Sequence, residues 1–422
     1  MYKKIYKICF QKIKNIFWHL PKSIFYNIYF GFPHRNLTLI GVTGTDGKTT
    51  SVNLIHQALL NANIKSGLIS TLGAKIGDQS ISIGLHTTSP DSSIVQKIFA
   101  QMVTEGMTHA IVEVTAHAID QYRYFGCNFA ICGITNTSHE HLDDFLNMSS
   151  YINTKAKLFS NSNIAILNKD DSSFSQIIVP PTTKIFSYSI DKKSDYQAKN
   201  INLNNKFLEF TVNKTTYKTN SNYRYQIYNI LLVHSILNQL KIDPNLLPKL
   251  ILNFPEIKGR REIVKNNLHI QCIVDFAHTP NALFQTLSSL HSTTKNKLIC
   301  IFGATGGRDQ TKRPLMGKVV SQNCDIAIVT ADDTRNENII EINKQIISGF
   351  DQKQIDNKKF AYYNIPNRQD AFNLAVSLAK SGDTIIACGK GHETSILHGK
   401  TEYPWTESDA FKTAFRNKDQ NV

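Results

Sequence analysis

Apolar runs of strand length alternate with stretches of helical apolar spacing through the first half of the chain. The runs that predict buried strands lie at residues 37–42, 66–70, 110–114, 129–135 and 164–167. Helical spacing separates these runs, as in residues 51–60. This rhythm predicts a mostly parallel sheet that is covered by helices on both faces.

The pattern changes twice in the rest of the chain. Residues 183–225 show short polar–apolar alternation, which predicts antiparallel strands added to the same domain, and helical spacing follows at 227–240 and 246–252. From residue 270 onwards, a new alternation of apolar runs and helices predicts a second α/β unit. We therefore expect an N-terminal segment, a central domain and a C-terminal domain, at residues 1–36, 37–257 and 258–422.

The composition is typical of a folded protein with reduced cysteines. Hydrophobic residues make up 41% of the 422 residues, as in globular domains. The seven cysteines form no C-x-x-C pair and no His/Cys spacing of a metal site. Scattered cysteines of this kind indicate a reducing compartment, so we expect the protein in the cytoplasm.

The N-terminal segment carries much of the positive charge. Its first 35 residues hold seven Lys and Arg side chains and no acid, which is half of the formal net charge of +14. They also hold ten aromatic residues. Because lysines interrupt every apolar stretch, we expect neither a signal peptide nor a membrane-spanning helix.

Two interpretations of this segment stay open. It can lie as an amphipathic helix on an anionic membrane surface, here the inner membrane, or it can dock on the next domain with its lysines in water. The docked interpretation is slightly favoured. Because no nucleic-acid-binding module accompanies the charge, we expect no nucleic-acid partner.

A glycine-bearing turn joins the first predicted strand of the central domain to its first predicted helix. Strand, turn and helix in this order form a phosphate cradle, in which backbone N–H groups close on the phosphates. Lys48 adds a point charge, and the Thr49 hydroxyl is a candidate ligand of Mg²⁺. The cradle consists of Gly44, Thr45, Asp46, Gly47, Lys48, Thr49 and Thr50. The chain is therefore predicted to bind a nucleoside triphosphate.

Three further groups follow predicted strands, where an open α/β sheet places its ligands. Glu113 lies in an apolar run, and a buried carboxylate is costly unless it is paired or bound to metal, so it is a candidate Mg²⁺ ligand beside Thr49. Residues 135–143 hold two histidines and two acids, which fit either a binding site or a solvated loop. Lys155 taken alone indicates only an exposed lysine on a helix.

Taken together, these strings resemble the Mur ligase family, ATP-dependent synthetases that form amide bonds in peptidoglycan precursor assembly. The resemblance is carried by the cradle, E-V-T-A-H-A at residues 113–118, T-N-T-S-H-E-H-L-D at 135–143 and K-A-K-L-F at 155–159. In the second half, G-R-R-E at 259–262 adds to it. The strings most similar to the branch that adds the third peptide residue are A-H-T-P at 277–280, K-R-P-L-M-G at 312–317 and G-K-G-H-E at 389–393. The resemblance implies a P-loop central domain and a Rossmann-like C-terminal domain.

The resemblance also implies roles for individual residues. The residues that it adds to the cradle as contacts of ATP are Asn136, Arg260, Asp275, His278 and Arg308. Two Mg²⁺ ions would be bound by Thr49, Glu113, His141 and Lys155, the last as a carbamate formed with CO₂. The catalytic residues would be Lys48, Glu113, His141, Lys155 and Arg308. The contacts of the acceptor and the amino acid would be Thr87, Thr88, Ser89, Thr115, His117, Arg123, Asp332, Asp333, Arg335, Gly389 and Glu393.

The implied reaction joins a free amino acid to the carboxylate of a nucleotide-linked peptide acceptor. Transfer of the γ-phosphoryl group of ATP turns that carboxylate into an acyl phosphate, whose leaving group is phosphate instead of oxide. The amine of the amino acid then attacks the acyl phosphate. Because phosphate and carboxylate are both anionic, two Mg²⁺ ions and Lys48 are needed to bring them together.

Several positions depart from the family pattern. Asp46 stands where Asn is usual, which adds a negative charge near the phosphates, and Glu140 replaces an Asp. The string that selects the amino acid, D-N-P-R in the diaminopimelate-adding enzymes, reads D-D-T-R at residues 332–335. Arg335 can form two hydrogen bonds to a distal carboxylate of the amino acid, whereas Asp333 can bind an ammonium group of the amino acid. Diaminopimelate is therefore favoured, and lysine stays open.

The N-terminal segment is also short for this family. Third-residue ligases carry a domain before the cradle that binds the uridine nucleotide, and residues 1–36 are too few to form one. Either these residues and the central domain hold the nucleotide in another way, or the acceptor has no UDP and is linked to a lipid. We expect the protein to be a monomer.

Three alternative functions stay open. A folylpolyglutamate synthetase shares the architecture and lacks the UDP-binding domain, but the substrate strings fit it less well. The lipid-acting amidotransferase partners of this superfamily carry a four-cysteine zinc ribbon, which this sequence lacks. A non-catalytic paralogue that binds nucleotide as a scaffold is disfavoured by the intact catalytic residues.

Overall fold

Strands and helices alternate through two α/β units in the computed structural model. The first unit comprises residues 1–138 and 144–254, and the second comprises residues 139–143 and 255–422. The structure describes residues 2–81, 88–138, 140, 142–204, 207–219, 223–243, 245–252 and 257–420. Within these ranges, none of the helices combines the length and the apolar character needed to cross a membrane.

The secondary structure of the first unit matches the predicted alternation. Its strands are β1 (Thr38–Thr43), β2 (Ser66–Ser70), β3 (Gly73–Ile76), β4 (Gln79–Ile81), β5 (His109–Glu113), β6 (Phe129–Ile134), β7 (Ser162–Asn168), β8 (Lys184–Ser189), β9 (Tyr196–Leu203), β10 (Leu208–Val212) and β11 (Thr215–Thr219). Its helices are α1 (Tyr2–Lys14), α2 (Leu20–Tyr29), α3 (Lys48–Asn61), α4 (Ser92–Thr104), α5 (Ala116–Asp120), α6 (Met148–Ala156), α7 (Arg224–Gln239) and α8 (Leu246–Leu252). A π-helical stretch, Asn15–His19, joins α1 to α2.

One sheet runs through the whole first unit. Among the described residues it has eleven strands, in the order β11-β10-β9-β8-β7-β6-β1-β5-β2-β3-β4. The pairs between β9 and β2 across the centre are parallel. The pairs at both ends, which involve β3 and β4 or β10 and β11, are antiparallel. The predicted mostly parallel sheet is confirmed.

The prediction of antiparallel strands for residues 183–225 is wrong for β8. This strand pairs in parallel with β7 on one side and with β9 on the other. Polar–apolar alternation reports which face of a strand is buried, and it does not report the direction of the strand. Residues 169–183 between β7 and β8 provide the crossover that a parallel pair requires.

Helices cover this sheet on both faces, because successive side chains of a strand point to opposite sides. In β1, Ile40 and Val42 join the core that α3 and α7 cover, whereas Leu39 joins the core that α4 covers. All three side chains are fully buried. The two cores therefore fix the position of β1, whose carboxyl end leads into the predicted cradle.

Helices α1 and α2 pack on the rest of the first unit through polar side chains. Asn15 Nδ2 donates to Asp120 Oδ2 at 2.6 Å, and Asn27 Nδ2 donates to the Phe125 carbonyl at 2.9 Å. Asn15 and Asn27 are buried, whereas large aromatic side chains of the same helices face solvent. The N-terminal segment is thus docked on the central domain, and its inner face is polar.

The second unit repeats the α/β alternation over a shorter stretch. Its strands are β12 (Arg260–Val264), β13 (Gln271–Asp275), β14 (Leu298–Phe302), β15 (Ile326–Val329), β16 (Ala361–Asn364), β17 (Thr384–Cys388), β18 (Ser395–His398) and β19 (Thr401–Pro404). Its helices are α9 (Pro280–His291), α10 (Lys312–Asn323), α11 (Ile339–Ile347), α12 (Gln352–Asp356), α13 (Arg368–Leu378) and α14 (Glu407–Gln420).

A smaller, mostly parallel sheet forms the centre of the second unit. Within the described ranges it has six strands in the order β12-β13-β17-β14-β15-β16, and only the edge strand β12 is antiparallel to its neighbour. Strands β18 and β19 form a separate antiparallel pair. Because β13, β17 and β14 are neighbours, the loops that follow them meet at one edge of the sheet. The predicted α/β fold class is confirmed for this unit as well.

Candidate functional site

The predicted phosphate cradle is the turn between β1 and α3. Gly44 and Gly47 both have positive φ angles, +140° and +85°. A Cβ atom added at Gly44 would collide with Thr135 Oγ1, and one added at Gly47 would collide with Asn229 Oδ1. Only glycine therefore fits at these two positions, where the backbone of the turn lies close to Thr135 after β6 and to Asn229 of α7. The geometry fits the bound phosphates of a nucleotide at the start of α3.

Asn136 holds this turn in place from the end of the adjacent strand β6. Its Oδ1 atom accepts from the Asp46 amide at 3.0 Å, its Nδ2 donates to the Asp46 carbonyl at 3.1 Å, and its own carbonyl accepts from the Thr45 amide at 2.9 Å. Ser138 Oγ donates to Asp46 Oδ2 at 3.3 Å. This hydrogen bond offsets part of the extra negative charge that Asp46 brings to the cradle.

Glu113 ends β5, the strand that lies on the other side of β1. Its carboxylate is 1% exposed and accepts from Thr49 Oγ1 at 3.0 and 3.1 Å and from the Thr71 amide at 2.9 Å. A carboxylate and a hydroxyl side by side are the hard oxygen donors that Mg²⁺ prefers. The two side chains therefore fit the predicted Mg²⁺ site at the mouth of the cradle.

Two predicted site residues cannot be placed in the same way. The predicted metal ligand His141 and the predicted acceptor contact Thr87 lie outside the described residues. In the part of the chain that the structure describes, no group of three or more His, Cys, Asp or Glu side chains is arranged to hold a metal ion. Of the predicted metal ligands, the structure describes Thr49, Glu113 and Lys155.

Lys155 reaches the back of the cradle from α6. Its side chain is only 1% exposed, its Nζ donates to the Gly44 carbonyl at 2.7 Å, and the same atom lies 4.4 Å from the centre of the Tyr151 ring. The interpretation of Lys155 as an exposed helical lysine is wrong. Lys157, two positions further on, is the exposed one. Burying an ammonium group costs free energy, so Lys155 is placed as a functional group would be.

Lys48 stays close to the cradle backbone. Its Nζ donates to the Thr45 carbonyl at 2.8 Å, and the side chain is half-buried. The cation thus lies on the same loop whose amides are predicted to meet the phosphates.

The residues predicted to face the acceptor are linked to Glu113 through Ser89. Ser89 Oγ donates to the Glu113 carbonyl at 3.0 Å and accepts from the Thr115 amide at 3.2 Å. Arg123 Nη1 donates to the Ser89 carbonyl. Thr115 also caps α5, because its side chain accepts from the Ala118 amide at 3.1 Å. The structure therefore brings Ser89, Thr115 and Arg123 together beside the end of β5.

Asp144 is a residue of this region that the sequence reasoning missed. Its Oδ2 lies 2.9 Å from His117 Nε2, and its Oδ1 lies 2.7 Å from Lys7 Nζ on α1. Burial alone would raise the pKa of Asp144, but the hydrogen bonds from His117 and Lys7 hold it well below its ordinary value. Asp144 directly follows the string 135–143, and nothing else in the sequence indicates its partners. It orients His117 and ties α1 to the predicted acceptor site.

In the second unit, Arg260, Asp275 and His278 gather around Phe276. The Arg260 guanidinium lies 4.4 Å from the centre of the Phe276 ring, and His278 Nδ1 lies 2.8 Å from the Phe276 carbonyl. Asp275 accepts from the Ala277 amide at 2.9 Å, and burial raises its pKa. These three predicted contacts of ATP are thus neighbours. Arg308 lies half-buried in the loop after β14.

The loop after β17 forms a charged cluster with the end of β15. Lys390 Nζ lies 2.7 Å from Asp333 Oδ1, and it also pairs with Glu393. Burial alone would lower the pKa of Lys390, but Asp332, Glu393 and Asp333 raise it. A Cβ atom at Gly389 would approach Asp332 Oδ2 to 2.7 Å, so only glycine lets this loop lie so close. Asp333 is thus already neutralised by Lys390.

Arg335 lies beside an open cavity of about 540 Å³. Its backbone has a positive φ of +49°, and its buried Nε atom has no hydrogen-bond partner among the described residues. The cavity is also lined by Thr334, Asn338 and His398. A buried N–H without a partner is costly, and an anionic ligand group would satisfy it. Of the residues predicted to select the amino acid, Arg335 is the one placed to bind a carboxylate.

Known proteins resemble this chain along most of its length. The Mur ligase middle domain matches residues 42–237, and the Mur ligase, glutamate ligase domain matches residues 259–391. The chain is 35% identical over 380 residues to a UDP-N-acetylmuramoyl-L-alanyl-D-glutamate--2,6-diaminopimelate ligase of Clostridium botulinum, covering 88% of this chain and 77% of that protein.

Two solved structures show the same architecture. A UDP-N-acetylmuramoyl-L-alanyl-D-glutamate--2,6-diaminopimelate ligase is 26% identical with a TM-score of 0.61, over 91% of this chain and 79% of that one. A Mycobacterium tuberculosis folylpolyglutamate synthase complexed with ADP has a TM-score of 0.72 at 14% identity, over 92% of this chain and 96% of that one. At that identity the second likeness concerns the fold alone.

Replacing Asn136 by Ala should loosen the cradle, because it removes two side-chain hydrogen bonds to Asp46. We expect the affinity for a fluorescent ATP analogue to fall by about tenfold or more. Asn153→Ala, an exposed position on α6, is the matched control. Equal affinities of the two variants would show that Asn136 does not shape the nucleotide site.

Proposed function

The chain belongs to the Mur ligase family of ATP-dependent ligases, and from this premise we propose that it adds 2,6-diaminopimelate to an acceptor like UDP-N-acetylmuramoyl-L-alanyl-D-glutamate. This step belongs to peptidoglycan precursor synthesis. The observation that carries the proposal is the meeting of Thr49, Glu113 and Lys155 at one phosphate cradle. A phosphate cradle by itself can bind any nucleotide. Buried groups beside it that can bind metal and form a carbamate suit the activation of a carboxylate.

In the first unit, each side chain of the cradle has a distinct task. Lys48 and the backbone amides of residues 44–49 hold the phosphates, and Thr49 with Glu113 would hold Mg²⁺. When bound, Mg²⁺ offsets the repulsion between the anionic phosphate and carboxylate. In the second unit, Arg260, Asp275, His278 and Arg308 remain predicted contacts of ATP.

Lys155 is proposed to act as a carbamate. The ammonium group first loses a proton, and the neutral amine then reacts with CO₂, which forms a C–N bond and releases a second proton. The cation is thereby replaced by an oxygen-bearing anion. Such an anion is a ligand for a second Mg²⁺, together with the predicted ligand His141. The burial of Lys155 and its position behind Gly44 support this role.

The acceptor is proposed to lie beside the end of β5. Ser89, Thr115 and Arg123 are already joined there by hydrogen bonds, and His117 is oriented by Asp144. Thr87 and Thr88 remain predicted contacts of the acceptor. A comparison of acceptors that carry and lack UDP in the same assay tests which of them the protein uses.

The amino acid is proposed to be 2,6-diaminopimelate because of Arg335. Its unpartnered Nε and the adjoining cavity suit the distal carboxylate, which lysine lacks. Asp333, the alternative partner for an ammonium group, is paired with Lys390. Gly389 and Glu393 belong to the same charged cluster as Asp333 and Lys390. The protein is further proposed to be a cytoplasmic monomer whose residues 1–36 contact the inner membrane surface.

An assay of ADP release tests this function. We expect release to require both a muramoyl-dipeptide acceptor and diaminopimelate, and Arg335→Ala to lower kcat/KM for diaminopimelate by about 30- to 100-fold. Arg416→Ala, at an exposed position on α14, should change nothing. Faster turnover with a pterin-glutamate acceptor, or ADP release without any acceptor, would contradict the proposal.

A pair of lysine variants tests the carbamate. Lys155→Ala should lower kcat by about 100-fold or more, because it removes a metal-binding anion, while Lys157→Ala should stay close to wild type. Removal of CO₂ from the buffer should slow the wild type, and added bicarbonate should restore it. Similar rates for the two variants would contradict this role of Lys155.

A further inference from the structure

Along the N-terminal helices α1 and α2, one line of side chains faces the rest of the first unit. This inner line is partly polar, whereas the inner face of an ordinary amphipathic helix is apolar. The side chains that face the rest of the first unit recur every three or four residues and include Ile8, Asn15, Ser23 and Asn27, all buried. Ser23 Oγ donates to the Tyr122 carbonyl at 2.7 Å, and Asn15 and Asn27 also donate hydrogen bonds to the same unit. Apart from Ile8, most large apolar side chains of the helices point elsewhere.

We define the outer face as the exposed large hydrophobic side chains of these helices. They are Ile5, Tyr6, Phe10, Ile13, Ile16, Phe17, Trp18, Ile24, Phe25, Ile28 and Tyr29. They make up eleven of the twenty-six exposed large hydrophobic side chains among the described residues, although they lie within only 25 positions. Such a concentration of apolar surface marks an interaction site.

The charges around the outer face decide which partner it suits. Lys12 and Lys14 are exposed between its aromatic residues, and the first 35 residues hold no acid. A second copy of the same face would bring lysines against lysines, which is unfavourable. A partner that offers both an apolar interior and a negative surface matches aromatic side chains interleaved with lysines.

From this arrangement we infer that the outer face lies on an anionic lipid bilayer, with its aromatic side chains at the level of the headgroups. Residues 2–29 would cover about 40 Å of the surface at 1.5 Å per residue. This inference names the face and the lipid class for the membrane contact included in the proposed function, and it does not depend on the ligase activity.

The same helices connect the bilayer to the acceptor side of the first unit. Asn15 bonds to Asp120 at the end of α5, and Lys7 bonds to Asp144, which in turn contacts His117. The predicted acceptor residues are thus held by the helices whose other face meets the lipid.

Vesicle binding by the full chain tests the inference. The lipids are phosphatidylcholine alone and phosphatidylcholine with about 30% phosphatidylglycerol. The readouts are co-flotation for every variant and tryptophan emission for the proteins that retain Trp18. We expect binding and a blue shift only with the anionic vesicles, weakened by 0.5 M salt. A variant with Phe17→Gln, Trp18→Gln and Phe25→Gln should bind at least tenfold more weakly.

A matched variant provides the control. Ile178→Gln, Ile185→Gln and Leu203→Gln change three exposed apolar positions of the same unit, and this variant should bind as the wild type does. Nucleotide affinity in buffer without lipid should be the same for both variants, which shows that folding is intact and separates this inference from the ligase function. Equal vesicle binding by both variants, no preference for anionic lipid, or self-association that the outer-face variant abolishes would overturn it.

Discussion

The burial of one carboxylate, that of Glu113, is the constraint on which the rest of the site depends. At 1% exposure this carboxylate has lost most of its hydration, and the Thr49 hydroxyl and the Thr71 backbone amide donate hydrogen bonds to it. Its position follows from the sheet, because Val42 of β1 lies opposite Glu113 in the parallel register. The register between β1, which leads into the cradle, and β5 thus places Glu113 beside the cradle.

The groups around Glu113 also lie at the ends of neighbouring strands. Strands β6, β1 and β5 are neighbours, so Asn136, the cradle and Glu113 meet at one edge of the sheet. Lys155 closes this edge from behind through the Gly44 carbonyl. Polar side chains of the N-terminal helices hold the turn after α5, and this turn bears Arg123. The residues proposed to bind nucleotide, metal and acceptor are therefore parts of one hydrogen-bonded assembly in the first unit.

Much of this assembly could be predicted from the sequence, because local patterns carry it. The strand–turn–helix order gave the cradle, and an acid inside an apolar run indicated Glu113. The burial of Lys155 could not be predicted from the pattern of its helix, and only the resemblance to the Mur ligase family assigned this lysine a role. Asp144 and Asn229 escaped notice because their partners lie far away in the sequence. The direction of β8 and the polar inner line of α1 and α2 were missed for the same reason, since both are set by tertiary contacts.

The central claim is that Glu113 and Thr49 hold the Mg²⁺ that binds with ATP. Calorimetric titration with a non-hydrolysable ATP analogue, with and without Mg²⁺, tests it most directly on the wild type, Glu113→Gln and the exposed control Glu105→Gln. The account predicts that Mg²⁺ raises the affinity of the wild type and of Glu105→Gln by about tenfold or more, and that Glu113→Gln loses this gain. An equal gain in all three proteins would contradict it.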